Sequence, residues 1–200
     1  MKMVGRVLIV GTHRSGTTNL ANALSEILSL EMLQEPWNYY LFNEEENLYP
    51  EVIYKYGIIK SLVQQYPKSW KNNNIVDFYA DLISKYSNVV LLGRKDRKAL
   101  AESYFRQMQF GNENWHTEYT LQSTSMLKID MDFINRYCDI LEEISKLVNI
   151  PITWYEDLYS GERTKVLKSL ENWNFSSNFS TDYFMNFVNP INKYRKSYLL

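Results

Sequence analysis

Cysteine is almost absent from this chain of 200 residues, which holds only Cys138. One thiol excludes an intramolecular disulfide framework and any cysteine-based metal cluster. A reducing compartment is the simplest expectation. An excess of one charge is lacking too: 22 Lys and Arg stand against 23 Asp and Glu, a formal net charge of -1. That balance gives no general electrostatic reason to bind nucleic acid or an anionic membrane, so basic residues must act locally. No run of sequence approaches the roughly 18 apolar residues of a membrane-spanning helix. Internal repeats, low-complexity tracts and Gly/Ser linkers are also missing, and the length suits one domain over 1–200. Aromatic residues are abundant, with 16 Tyr, 9 Phe and 5 Trp. Most such rings pack cores and rims, and some can line a sugar or aromatic acceptor site.

The most informative segment is Gly11, Thr12, His13, Arg14, Ser15, Gly16, Thr17 and Thr18. It follows the apolar run Val7 to Val10, which reads as a buried parallel strand, and precedes Asn19 to Leu30, which reads as a helix. The run has a superficial signal-peptide flavour, but it is short and leads straight into the glycine loop, so a first strand is expected. A strand, a glycine loop and a helix in that order form the context of a phosphate-binding loop. Loop N–H groups and the helix N-terminus together offer a site for an anion. In loops that hydrolyse ATP or GTP, a lysine follows the second glycine and reaches the β- and γ-phosphates. Thr17 occupies that position here, and the basic residue comes earlier, as Arg14. This loop is expected to hold a phosphate while being poorly equipped for triphosphate chemistry. The plainer reading is a glycine turn joining a strand to a helix.

Further strands are expected at Glu31 to Glu35, stopped by Pro36, at Ile58 to Val63, at Val89 to Leu92 and at Ile150 to Trp154. Apolar spacing predicts helices over Asp77 to Tyr86, from the Arg94–Asp96 turn to about Gln109, over Ile129 to Val148 and over Thr164 to Trp173. Glu44, Glu45 and Glu46 read as a solvated helix start. Residues 111–125 are polar and irregular, a candidate lid or acceptor loop. Strands alternating with helices imply an α/β, P-loop-like three-layer fold, with a central, mostly parallel sheet flanked by helices.

A second constellation sits where the run Val89 to Leu92 ends. Gly93 is followed by Arg94, Lys95 and Asp96, with Ser103 two turns into the next helix. Strand ends deliver side chains to the carboxyl edge of the sheet, where such folds bind ligands. An arginine with a serine hydroxyl suits a dianionic phosphate. The plainer reading is a solvated basic helix start, although basic residues there oppose the helix dipole.

Both constellations together resemble the sulfotransferase superfamily, which uses 3′-phosphoadenosine 5′-phosphosulfate (PAPS), and within it the bacterial trehalose 2-sulfotransferase type. The resemblance rests on Arg14 to Thr18, on Arg94-Lys95-Asp96 with Ser103 at the same spacing, and on Ser103 to Gly111 followed by Trp115 and His116. Tyr56 to Lys60 is similar to that family's Gly-x-Lys strand, and Tyr155 to Leu158 to its Tyr-Glu-Asp-Leu junction. These motifs touch most of residues 5–170, and their order is more specific than any one of them. Family members are usually longer, so acceptor-binding elements are expected to be reduced. Many eukaryotic sugar sulfotransferases are Golgi-anchored, whereas a cytoplasmic enzyme is expected here.

The resemblance implies that Thr12, His13, Arg14, Ser15, Gly16, Thr17 and Thr18 form the 5′-phosphosulfate site, with His13 shaping the loop. Arg94, Lys95 and Ser103 would hold the 3′-phosphate. The family's second arginine is Lys95 here, which keeps the charge but loses the bidentate fork. Which of Arg94 and Lys95 faces the ligand stays open, and the basic segment 192–196 is a further candidate, though a solvated tail is its plainer reading. Sulfuryl transfer needs a base for the acceptor hydroxyl, and cationic and hydrogen-bond-donating groups around the departing phosphate oxygen and the sulfuryl oxygens. Arg14, Thr17 and Lys60 are expected to supply the latter, with no metal. The family's Glu-Pro-x-Glu pattern keeps Glu35 and Pro36, but Asn38 replaces the second glutamate, and an amide cannot be the base. Glu35 and His116 are the two candidates. Glu156 and Asp157 are expected to cap the helix that follows them. The acceptor implied is a saccharide or another small hydroxylated molecule. Two rivals remain: a nucleotide or small-molecule kinase using ATP and Mg²⁺, and a sulfotransferase-like module that binds nucleotide or sugar without turnover.

Overall fold

A computed structural model of the chain describes residues 3–37, 55–66, 74–110, 131–175 and 179–188. Asn38, Glu44 to Glu46, residues 111–125 with His116, and residues 192–196 lie outside the described residues.

Among the described residues the strands are β1 (Met3–Gly11), β2 (Met32–Gln34), β3 (Ile58–Leu62), β4 (Tyr86–Gly93) and β5 (Ile152–Trp154). They form one sheet in the order β2-β3-β1-β4-β5, and every neighbouring pair is parallel. The helices are α1 (Thr17–Leu28), α2 (Ile75–Ser84), α3 (Arg97–Phe110), α4 (Met131–Val148), α5 (Tyr155–Leu158), α6 (Arg163–Glu171) and α7 (Thr181–Val188). The fold is therefore the expected three-layer α/β arrangement, with the sheet all parallel.

Alternation along each strand explains why the runs Val7 to Val10 of β1 and Val89 to Leu92 of β4 are apolar throughout. Side chains of a strand point to opposite faces in turn, so a sheet covered on both faces needs apolar residues at every position. Val7, Ile9, Ile58, Val90 and Leu92 pack with Leu20, Ala21 and Leu24 of α1, Val166 and Leu170 of α6, and Phe184 and Val188 of α7. Leu8, Val10, Ile59, Val89 and Leu91 pack with Val76, Phe78, Tyr79, Leu82 and Ile83 of α2, and with Leu141 and Ile144 of α4. Each such leucine, isoleucine or valine contributes on the order of 1.5–3 kcal/mol by leaving water. Helix α3 joins this frame through α4: Leu100 and Ala101 meet Ile134 and Cys138, and the Arg97 guanidinium binds Asp139 at 2.8 Å and Glu142 at 2.7 Å.

Three details differ from the sequence expectation. The second expected helix stops at Ser84, and Tyr86 opens β4 instead, because its ring is buried in the α2/α4 core. Helix α7 was not expected: only Phe184 and Val188 of its eight residues are buried, too short a stripe to read as periodicity. Glu156 and Asp157 do not cap α6, which starts after Glu162 with no side-chain cap.

Strand order positions the site. From central β1 the chain moves to β2 and β3 on one side, then crosses to β4 and β5 on the other. Loops that leave adjacent parallel strands in opposite directions open a crevice at their carboxyl ends. The loop after β1, Glu35 after β2, Gln65 after β3 and Arg94 after β4 all belong to that edge.

Candidate functional site

The loop between β1 and α1 is built by close backbone contacts. A Cβ on Gly11 would lie 2.5 Å from the Leu92 carbonyl oxygen and 2.6 Å from Thr17 Cγ2, so only glycine lets β1 lie against β4 there. Gly16 is the α1 N-cap, with φ 86, and a Cβ on it would meet Tyr159 Cε2 at 2.8 Å and Tyr155 Cδ2 at 3.0 Å. The Tyr159 hydroxyl donates to the Gly16 carbonyl at 2.9 Å. Ser15 is buried, and its hydroxyl donates to the Thr12 carbonyl at 2.7 Å, closing the turn from inside. Arg14 also has a left-handed backbone, φ 62. A non-glycine residue held there stores strain, of a kind that collects at binding and catalytic sites.

Helix α1 begins without acidic residues in its first turn and without a side-chain cap. Its leading N–H groups have no partner within the helix, and the dipole makes that end attractive to anions. Thr17 is buried and Thr18 exposed at this terminus. The Thr12 hydroxyl oxygen is buried without a hydrogen-bond partner.

Two arginines meet at this edge, Arg14 within the loop and Arg94 just after β4. Arg14 Nε donates to Ser103 Oγ of α3 at 3.0 Å. Burial, and then the neighbouring Arg94 charge, lower the pKa of the Arg14 guanidinium. Arg94 lies 4.8 Å from the Tyr155 ring centroid, and its Nε is 3.9 Å from Glu156 Oε1. That Nε is buried without a hydrogen-bond partner. Lys95 turns elsewhere: its side chain is half exposed, and Nζ donates to Asp157 Oδ2 at 2.7 Å. Of the two basic residues ending β4, Arg94 is the one beside Arg14. Glu156 accepts from the N–H groups of Lys95 at 3.0 Å and Asp96 at 3.1 Å. It thus braces the β4–α3 turn from α5, and Asp96 caps α3 through the Ala99 N–H at 2.8 Å.

The third part of the site comes from β2 and β3. Gln34 pairs in register with Lys60, which places Glu35 one step beyond it, and the Glu35 N–H donates to the Lys60 carbonyl at 2.7 Å. Glu35 has φ 50, a second strained non-glycine position at this edge. The buried Lys60 ammonium donates to Glu35 Oε1, and Gln65 Nε2 donates to Oε2 at 2.8 Å. Burial lowers the pKa of Lys60, and the Glu35 carboxylate works against that shift. His13 interacts with the same charges. Burial first, then Lys60 and Arg14, lower its pKa to about 4, with Glu35 opposing, so the imidazole is neutral at pH 7. Its ring centroid is 5.3 Å from that of Tyr104.

The structure therefore brings together the loop Thr12 to Thr18, Glu35, Lys60, Arg94 and Ser103, and leaves Lys95 on the exposed side. Gln65, Tyr104 and Tyr159 join the site without having been singled out in the sequence. Tyr155 and Tyr159, four apart and packed on Gly16, carry the one signal that could have been followed. Among the described residues no group of three or more His, Cys, Asp and Glu side chains is arranged for a metal ion, and no helix is long and apolar enough to cross a membrane. No known family profile matches the chain, and no curated protein matches it either.

Proposed function

We propose that the protein is a PAPS-dependent sulfotransferase that moves a sulfuryl group to a hydroxyl of a saccharide or another small acceptor. The observation that carries this reading is the pairing of Arg14 with Ser103, beside Arg94, over a glycine loop that lacks the triphosphate-binding lysine. Two guanidinium groups held close repel each other, and an anion between them relieves the repulsion. Thr12 Oγ1 and Arg94 Nε, both buried without a hydrogen-bond partner, suit a ligand rich in phosphate oxygens. A nucleotide carrying both a 5′-phosphosulfate and a 3′-phosphate fits this donor set. The α1 N-terminus and Arg14 would hold the first group, and Arg94 with Ser103 the second.

Transfer needs one bond made and one broken. The acceptor oxygen attacks sulfur, the bond from sulfur to the phosphate oxygen breaks, and the electron pair leaves on the 3′,5′-bisphosphate product, PAP. The hydroxyl proton passes to the Glu35 carboxylate. Arg14, the loop amides, Thr17 and Lys60 stabilise charge on the departing and sulfuryl oxygens, and such preorganised donors supply the largest share of many rate enhancements. This reading requires no metal. The lone, buried Cys138 is in keeping with a reducing, cytoplasmic setting.

One observation favours a second reading, a module that binds the nucleotide without turnover: both Glu35 oxygens are already engaged, by Lys60 and Gln65. Calorimetric titration with PAP in EDTA, beside ATP with Mg²⁺, tests the binding claim. Labelled PAPS with a panel of hydroxyl acceptors tests turnover. PAP binding with transfer supports the enzyme, and PAP binding without transfer to any acceptor supports the module. A preference for ATP with Mg²⁺ would refute both in favour of a kinase.

A further inference from the structure

We infer that Gln65, anchored by Tyr79, is a positioning residue that fixes the orientation of the Glu35 carboxylate. The inference deepens the sulfotransferase reading and rests on Glu35 as the base. A carboxylate only accepts hydrogen bonds, so the Gln65 amide must present its nitrogen to Glu35 Oε2, at 2.8 Å. The opposite face of that amide confirms the orientation has a cost: Gln65 Oε1 is buried with no hydrogen-bond partner. The amide is thus committed to Glu35 at the expense of its own oxygen. With Lys60 on Oε1 and Gln65 on Oε2, the carboxylate cannot rotate about its terminal bond without losing a donor.

Gln65 follows β3 in a turn, which alone would leave its side chain poorly fixed. Tyr79 of α2 supplies the anchor from the core. Its hydroxyl oxygen lies 2.5 Å from the Leu62 carbonyl, 2.6 Å from the Gln65 carbonyl and 2.8 Å from Ser61 Oγ. A phenol has one proton. The two carbonyls share it, so the Ser61 hydroxyl must be the donor toward Tyr79. Burial pushes the Tyr79 pKa upward, so that proton is retained. One buried hydroxyl therefore clamps residues 61, 62 and 65 into a single turn, and the turn aims the Gln65 amide at Glu35. Tyr79 also lies within reach of the Glu35 charge, and the turn is the hydrogen-bonded route by which its hydroxyl reaches Gln65.

Gln65→Met keeps length and removes the donor, and Tyr79→Phe keeps the ring and removes the clamp. With labelled PAPS and a turned-over acceptor, Gln65→Met is expected to lower kcat by about tenfold to a hundredfold, the scale of a misplaced catalytic group. PAP affinity by calorimetry should be unchanged. The double variant should be no slower than the slower single variant, because both changes cut the same linkage. Unchanged kcat in Gln65→Met, or losses that multiply in the double variant, would overturn the inference. A second readout needs no turnover. The Gln65 side-chain amide signal, identified by its loss in Gln65→Met, should carry one proton shifted far downfield by the carboxylate. Tyr79→Phe should return it toward the ordinary position, and an unmoved signal overturns the anchor. Glu35→Gln separates the two levels: if it retains turnover, the base assignment fails, and the amide signal still decides whether Tyr79 sets Gln65.

Discussion

Acidification should destabilise this protein in measurable part through His13. Its pKa falls from 6.5 to about 4 in the fold, chiefly because burial disfavours the imidazolium, with Lys60 and Arg14 adding to the effect. The sign follows from proton counting. Between pH 6.5 and about 4 the unfolded chain binds a proton that the folded chain refuses, so stability falls as pH falls through that window. Well above pH 6.5 both forms are neutral and His13 contributes no slope. At roughly 1.4 kcal/mol per unit, the loss is about 2 kcal/mol at pH 5 and approaches about 3 kcal/mol near pH 4. Urea unfolding at pH 7.5 and pH 5 measures it, with His13→Asn as the reference. That variant removes the titrating group, so the difference between the two proteins isolates His13 from other acid-sensitive groups. Wild type should lose about 2 kcal/mol more than the variant between these pH values. Equal losses would mean that His13 takes up its proton freely in the fold, and would refute its burial beside Lys60 and Arg14. The chain has only 2 histidines, so a proton NMR titration can check the same midpoint directly.

Other outcomes follow from the same geometry. Lys60→Met leaves the Glu35 carboxylate without its cation, and breaking a buried pair typically costs about 3–5 kcal/mol, readable as a lowered urea midpoint. The same variant should raise the His13 midpoint, since the Lys60 charge holds it down; a lower midpoint would contradict that placement. Arg94→Ala should weaken PAP binding strongly and Lys95→Ala only slightly, because Lys95 is occupied by Asp157. Calorimetry showing the reverse order would move the 3′-phosphate to Lys95. Gly16→Ala forces a left-handed alanine against Tyr159 and Tyr155, so a loss of roughly 1–3 kcal/mol in thermal unfolding is expected, together with weaker PAP binding.

The site divides into parts that were legible in sequence and parts that were not. Gly11 to Thr18 was legible because the strand, the tight loop and the helix are contiguous, and each leaves its own mark on neighbouring residues. Lys60 and Glu35 were each singled out, but their pairing depends on β2 lying beside β3 in one register, with Gln34 opposite Lys60. The division of labour between Arg94 and Lys95 could not be read at all. It is set by Tyr155, Glu156 and Asp157, some sixty residues further on in α5, directly after strand β5, which lies against β4. Gln65 and Tyr79 carried no pattern, because a turn glutamine and a core tyrosine are ordinary where they stand and acquire a role only through each other.

By itself, the sequence determined the α/β class, the order of the strands along the chain and the glycine loop at the carboxyl end of β1. Apolar runs, helical spacing and positive-φ glycines act over a few neighbouring residues, so their consequences are local and readable. Only the tertiary structure decided which cation faces the loop, that Glu35 is held between Lys60 and Gln65, and that the His13 pKa is lowered. Those outcomes depend on strand register and on desolvation by distant segments, and no local pattern encodes either.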